Sequence, residues 1–273
     1  MLFSQGSKMK RMSRRKTNMG LIDTHAHFYF PDFDQDRELS IRRALEGGVD
    51  ALINVGTDLE TSRRCLELSR MHPALYASAG IHPNDSAEVP ESDYGEIEKL
   101  LHEPKMVAIG EVGLDFYREH SPHDTQKRVL RRFLGMHLQT GKPLIIHCRD
   151  AYFELADILR QESSSPYRGV IHCFTGTRLD MEPLLELGFH ISFAGPLTYK
   201  KNESLREACA ACPGERILFE TDAPFLAPNS RRGKRNESSF MTETVRTAAE
   251  VRQESFEHLE ALSTANARSL FGL

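Results

Sequence analysis

Leu21-Ile22-Asp23-Thr24-His25-Ala26-His27 is a short apolar run that turns polar at its C-terminal end. In an extended chain, residues two apart face the same side, so His25 and His27 would present both imidazoles together at a strand end. The run gains its meaning from repetition. Comparable apolar runs occupy 51–55, 75–79, 106–109, 143–146, 170–171, 189–193 and 217–219. Between them, at 34–46, 59–71, 92–101, 124–140 and 152–161, lie stretches with apolar residues three and four apart, the spacing of an amphipathic helix. Strand then helix, eight times over, predicts a parallel sheet closed by right-handed crossovers, an α/β fold of the (β/α)8 TIM-barrel type. The nearly continuous apolarity of the runs suits strands covered on both faces.

Such a barrel needs about 250 residues, so the 273 of this chain read as one barrel domain over 19–273. Two further helices, at 241–252 and 256–270, follow the eighth run. The longest irregular stretch, 223–239, lies directly after that run, where barrel loops often bind phosphate. Ahead of the domain, Lys8, Lys10, Arg11, Arg14, Arg15 and Lys16 place six positive charges with no acid in residues 1–18. No apolar h-region follows them, which argues against a secretory signal and for a disordered basic tail. Taking those six charges from the net −4 leaves −10 for residues 19–273. No apolar run approaches the ~20 residues of a bilayer crossing, and nothing calls for a membrane or an obligate protein partner. Five cysteines, an odd number, argue for free thiols in a reducing, cytoplasmic setting. Cys209 and Cys212 are spaced like half a zinc site, but no second pair completes it, and packing residues of a helix at 204–211 are expected instead.

Other runs also finish in a group able to bind a metal: Glu111 after Ile109-Gly110, His147 after Ile145-Ile146, His172 after Val170-Ile171 and Asp222 after Glu220-Thr221. With His25 and His27, six such side chains gather at one rim of the barrel. Burying that many polar groups without partners is costly, and shared metal ions resolve the cost. Six ligands exceed the three protein ligands usual for a catalytic zinc, and they suit two divalent ions sharing a carboxylate. Glu111, from the middle strand, is the expected bridge, and the ions could be Mg, Mn or Zn. Cys148 and Cys173, one residue past a histidine, should turn toward the helices as packing residues.

Together with DTHAHF at 23–28, the segments GIHP at 80–83, GEVGLDFY at 110–117, PLIIHCRDA at 143–151, HCFTG at 172–176, ETDAPFLAP at 220–228 and RGKRNE at 232–237 make the chain resemble the TatD family of metal-dependent deoxyribonucleases, within the amidohydrolase-like barrels. The resemblance runs from about residue 21 to the C-terminus. It implies that His25, His27, Glu111 and Asp222 hold one ion and that Glu111, His147 and His172 hold the other. It also implies hydrolysis of single-stranded DNA from the 3′ end. Two departures touch its pattern: His137 stands where the family usually has Gln, and Arg231 where it usually has His, so the phosphate-facing edge is expected to differ.

The expected chemistry is attack by a hydroxide held between the ions, with Asp222 orienting it and accepting its proton. Expected substrate contacts are His82, which is otherwise a structural cap before Pro83, and Arg149, placed either on phosphate or on a carboxylate. Asp115 is expected to orient a ligand imidazole next to the substrate. Arg232, Lys234 and Arg235, with Arg231, would bind backbone phosphates. Phe28, Tyr29 and Phe30 supply either a base-stacking surface or core packing. The nearest alternative is a metal-dependent hydrolase of a small amide, ester or phosphoester on the same site, because fold and metals do not distinguish the two. A binding protein with a structural metal is disfavoured, since structural zinc sites are closed and cysteine-rich.

Overall fold

The computed structural model describes residues 20–118 and 120–273; the tail expected at 1–18 lies outside them. Strands and helices alternate: β1 (Leu21–Ala26), α1 (Arg37–Glu46), β2 (Val49–Val55), α2 (Leu59–Met71), β3 (Leu75–Ala79), α3 (Glu91–Leu100), β4 (Met106–Asp115), α4 (His123–Thr140), β5 (Leu144–Arg149) and α5 (Tyr152–Glu162). They continue with β6 (Gly169–Ile171), α6 (Arg178–Glu186), β7 (His190–Phe193), α7 (Glu203–Ala211), β8 (Ile217–Phe219), α8 (Met241–Arg252) and α9 (Phe256–Phe271). All neighbouring strands pair in parallel in the order β1 to β8, which is the (β/α)8 barrel.

Closure rests on few bonds. A single parallel bridge joins Ala26 to Ala223, with His27 N donating to Ala223 O at 2.7 Å and Asp222 N to His25 O at 2.9 Å. Beside it the buried Asp23 carboxylate accepts from Thr221 N (3.0 Å), Thr221 Oγ1 (2.6 Å) and Ser238 Oγ (2.5 Å). This one side chain ties the first strand to the segment after the last. Burial pushes its carboxyl up to about 6 against the pull of those donors.

Side chains alternate between two cores. Ile22, Ile53, Val107, Ile145, Val170 and Leu218 fill the barrel interior and pack on Leu270 and Phe271 of α9, so the last helix seals the end of the barrel where the strands begin. Outward residues such as Met106, Leu144 and Ile171 pack with Ile97, Phe133 and Leu155 of the helices. Local signals set the helix ends: Asp58 and Thr61 form a reciprocal cap at the start of α2, and Gly141, at φ +67°, ends α4.

β4 runs further than its apolar stretch, because Gly113 sits at φ +148° where a Cβ would collide with the His147 carbonyl oxygen. Without a side chain there, β4 lies close along β5 and pairs Gly113 with His147 and Asp115 with Arg149. That register brings Asp115 to His147.

His190, at the start of β7, offers a test of acid sensitivity. Burial, helped by the Arg216 guanidinium, lowers its imidazole from 6.5 to about 4, and its Nδ1 is buried without a partner. The unfolded chain therefore takes up this proton first, so the contribution to stability is complete above pH about 6.5 and is lost as pH falls toward 4. Melting temperatures of a His190→Leu variant between pH 7 and 4 should fall less steeply than those of the wild type, and parallel curves would assign the acid sensitivity to other groups.

Candidate metal centre and catalytic cleft

The six side chains expected from strand ends meet at the C-terminal mouth of the barrel. The two carboxylate oxygens of Glu111 face different partners. Its Oε2 lies 3.4 Å from His25 Nε2 and 3.9 Å from His27 Nε2, and Asp222 Oδ1 completes this group at 3.7 and 3.3 Å from the same nitrogens. Its Oε1 lies 3.0 Å from His147 Nδ1 and 2.8 Å from His172 Nε2. His82 joins that second group, with Nε2 3.5 Å from Glu111 Oε1.

Each imidazole but one is oriented by a partner on its other nitrogen. His27 Nδ1 donates to Val55 O at 2.8 Å, His172 Nδ1 meets Glu220 at 3.1 Å, and His147 Nε2 meets Asp115 Oδ2 at 3.2 Å. Such outer partners fix which nitrogen keeps its proton and leave the other lone pair aimed inward. His25 is the exception: its Nδ1 and the Glu220 Oε2 are both buried without partners, although His25, His172 and Glu220 stand close enough to form a third ligand set.

The inward atoms crowd one another, with His25 Nε2 and His27 Nε2 3.1 Å apart and His147 Nδ1 and His172 Nε2 3.2 Å apart. Lone pairs converging at that separation, in a buried setting mixed with carboxylates, fit divalent cations. The charges agree. Burial alone would raise the Glu111 carboxyl, but the surrounding imidazoles, His172 foremost, hold it well below the usual range. Asp222 is likewise lowered against burial, by its bond to His27 and by His25. His172 is held well above its usual value despite burial, by Glu111 and Glu220. His82 behaves otherwise, since burial takes it down to about 3.

A cavity of about 680 Å³ opens over this floor, lined by His147, His172 and Asp222 below and by Arg149, Tyr117 and Phe225 at the sides. Arg149 lies with its guanidinium 3.8 Å from the Tyr117 ring centre rather than on a carboxylate. His82 accepts from Asn84 N, so the histidine expected on phosphate both caps its turn and stands against Glu111. Asp115 is held below the carboxylate range, against burial, by His147 and the Arg118 amide.

The basic loop divides. Arg232 is exposed over the Tyr199 ring and Lys234 is exposed, whereas Arg235 turns away to Asp36 (2.6 and 2.9 Å) and Glu237 (2.8 Å) and covers Phe33. The expectation of Arg235 on phosphate is corrected here: two carboxylates already satisfy it. Arg231 pairs with Glu243 at 3.2 Å. His137 bonds the Lys142 carbonyl at 2.7 Å and is not among the residues lining the cavity, so that departure leaves the cleft unaltered. Phe28 and Tyr29 are buried core. Cys173 does line the cavity, because β6 ends at Ile171 and a φ of +42° breaks the alternation that would have turned it outward.

Matches to known proteins show the family of this chain. The family model of TatD-related DNases matches residues 22–272. The chain belongs to the TatD family. Among its relatives is the uncharacterized metal-dependent hydrolase YabD of Bacillus subtilis, 38% identical over 92% of this chain and 98% of that one. The 3′-5′ ssDNA/RNA exonuclease TatD of Edwardsiella piscicida is 34% identical over 93% of this chain and all of its own length, 100%. The crystal structure of the TatD homolog YjjV from Escherichia coli superposes with a TM-score of 0.87 at 30% identity, covering 93% and 98% of the two chains. This is therefore a metal-dependent hydrolase barrel whose rim carries groups able to hold metal.

Glu220, Asn84 and His82 as a neighbour of Glu111 were not assigned these places from sequence. Glu220 carried a usable signal, since it stands two residues before Asp222. If the outer carboxylates set the ligand imidazoles, Asp115→Asn and Glu220→Gln should each weaken divalent-ion binding by about 10- to 100-fold. Titration calorimetry against manganese or zinc reads this directly; affinities equal to wild type would remove both residues from the metal centre.

Proposed function

We propose that this TatD-family chain is a two-metal nuclease that removes nucleotides from the 3′ end of single-stranded nucleic acid. The observation that carries the reading is the division of Glu111 between two imidazole groups at the floor of an open cleft. In this reading His25, His27 and Asp222 would hold one ion with Glu111, and His147 and His172 the other. Bound divalent ions supply Lewis acidity, neutralise charge on phosphate and bring the pKa of water toward neutrality.

The chain's own residues would do the rest. Asp222, anionic and at the cleft floor, takes the proton of the attacking water. Asp115 and Glu220 keep His147 and His172 aimed. His82, kept neutral by burial, stands where a phosphate oxygen would meet the second group, and Arg149 at the cleft wall adds fixed positive charge. Relatives named for both ssDNA and RNA support either sugar as substrate, which is broader than the DNA expected from sequence. Free thiols at all five cysteines support a reducing, cytoplasmic location, and among the described residues no helix is long and apolar enough to cross a membrane.

Metal-reconstituted protein should shorten 5′-labelled single-stranded DNA and RNA from the 3′ end, while EDTA and Asp222→Asn each stop it. Intact nucleic acid together with turnover of simple phosphoesters or amides would keep the metal centre and transfer the function to small molecules. The loop gives a second expectation. Arg232→Ala and Lys234→Ala should each reduce the slope of log affinity against log salt by about 0.7, the value for one phosphate contact on a single strand. Arg235→Ala should leave that slope alone and lower the melting temperature, because its ion pairs lie within the protein.

A further inference from the structure

The described residues leave eight large apolar side chains exposed, and three of them, Tyr117, Phe225 and Leu226, line the cavity above the metal centre. They stand on opposite walls: Tyr117 follows β4, and Phe225 and Leu226 follow β8. Apolar surface left in water forgoes burial energy, so three such side chains over the candidate metal centre point to a ligand that covers them.

Both walls are braced. The amides of Tyr117 and Arg118 donate to Asp115 Oδ1 at 3.0 and 2.8 Å, and the Arg149 guanidinium stacks on one face of the Tyr117 ring. Across the cleft, the Phe225 ring meets Phe30 edge-on at 5.2 Å. Buried Asn236 donates to Phe225 O at 2.7 Å and Thr221 O at 2.8 Å, and its own amide reaches Pro224 O at 2.9 Å. Leu226 is held at φ +54°, a left-handed conformation that a branched apolar residue adopts only under constraint from its surroundings. Its carbonyl packs where Gly195 has no side chain. Braced aromatic side chains on both sides of this cavity offer the kind of surface on which the flat face of a nucleobase stacks.

We propose that Tyr117 and Phe225, with Leu226, clamp the base of the terminal nucleotide, so that the cleft selects a base-bearing end by stacking. The inference rests on the nuclease reading and deepens it by naming what the walls recognise. Stacking is tolerant of base identity because every base offers a π-face. The clamp therefore requires a base without specifying which one.

The test uses two short 5′-labelled oligonucleotides that differ only at the 3′ terminus, one ending in thymidine and the other in an abasic tetrahydrofuran unit. Wild-type enzyme should remove the thymidine unit with kcat/KM about tenfold higher or more, the scale of one stacked base. In Tyr117→Ala and in Phe225→Ala that preference should collapse toward one, while Tyr117→Phe keeps it. Binding of the same pair to the Asp222→Asn protein, followed by anisotropy, should show the same preference without turnover. Equal wild-type rates on both ends, or full preference retained in the alanine variants, overturns the clamp and leaves the nuclease reading intact. Cleavage of neither end by metal-loaded wild type overturns both.

Discussion

One buried carboxylate, Glu111, governs the rest of this molecule. It stands on the fourth strand with one oxygen toward His25 and His27 and the other toward His147 and His172. Isolated, a carboxylate so deeply buried would take up a proton; here the surrounding imidazoles keep it anionic. The barrel is what makes that possible, because parallel strands deliver side chains from β1, β4, β5, β6 and β8 to one face within a few ångströms.

Around this centre the protein spends its polar groups on orientation. Asp115 sets His147 and Glu220 sets His172. Asp23 ties the first strand to Thr221, immediately before Asp222, so the same contact that closes the barrel positions a proposed ligand. The loop after β8 is anchored twice, by Asn236 within it and by Arg235 and Arg43 on the Asp36 and Glu237 carboxylates. Arg235 and Arg43 hold the Asp36 carboxyl well below its usual range. Charge in this loop thus serves two purposes, with Arg235 and Arg231 building it and Arg232 and Lys234 left outward.

The fold was legible because its periodicities are plain. α2 and β3 occupy the spans that their apolar spacing predicts, and the six rim groups were visible because each ends an apolar run. The apolar run at 106–109 ends well before β4 does, because polar Glu111 and Gly113 interrupt the apolar pattern while the structure uses Gly113 for a close approach to β5. Arg235 could not be told from Arg232 in sequence, since its partner Asp36 lies 199 positions away. Cys173 was misplaced because strand alternation was extended beyond the end of β6. Tyr117, Phe225 and Leu226 gave no periodic signal at all. They sit in turns whose conformation is set by Asp115 and Asn236, and only three-dimensional placement shows that they share a cavity.

Asp115 touches two systems with one side chain: Oδ2 contacts His147, while Oδ1 receives the amides of the Tyr117 turn. The proposed metal centre and the proposed substrate rim therefore share one carboxylate. A coupling carried by that side chain would be reciprocal between the turn and His147. Under the proposed function, ion loading and substrate engagement would then influence one another through a single carboxylate rather than through a moving domain.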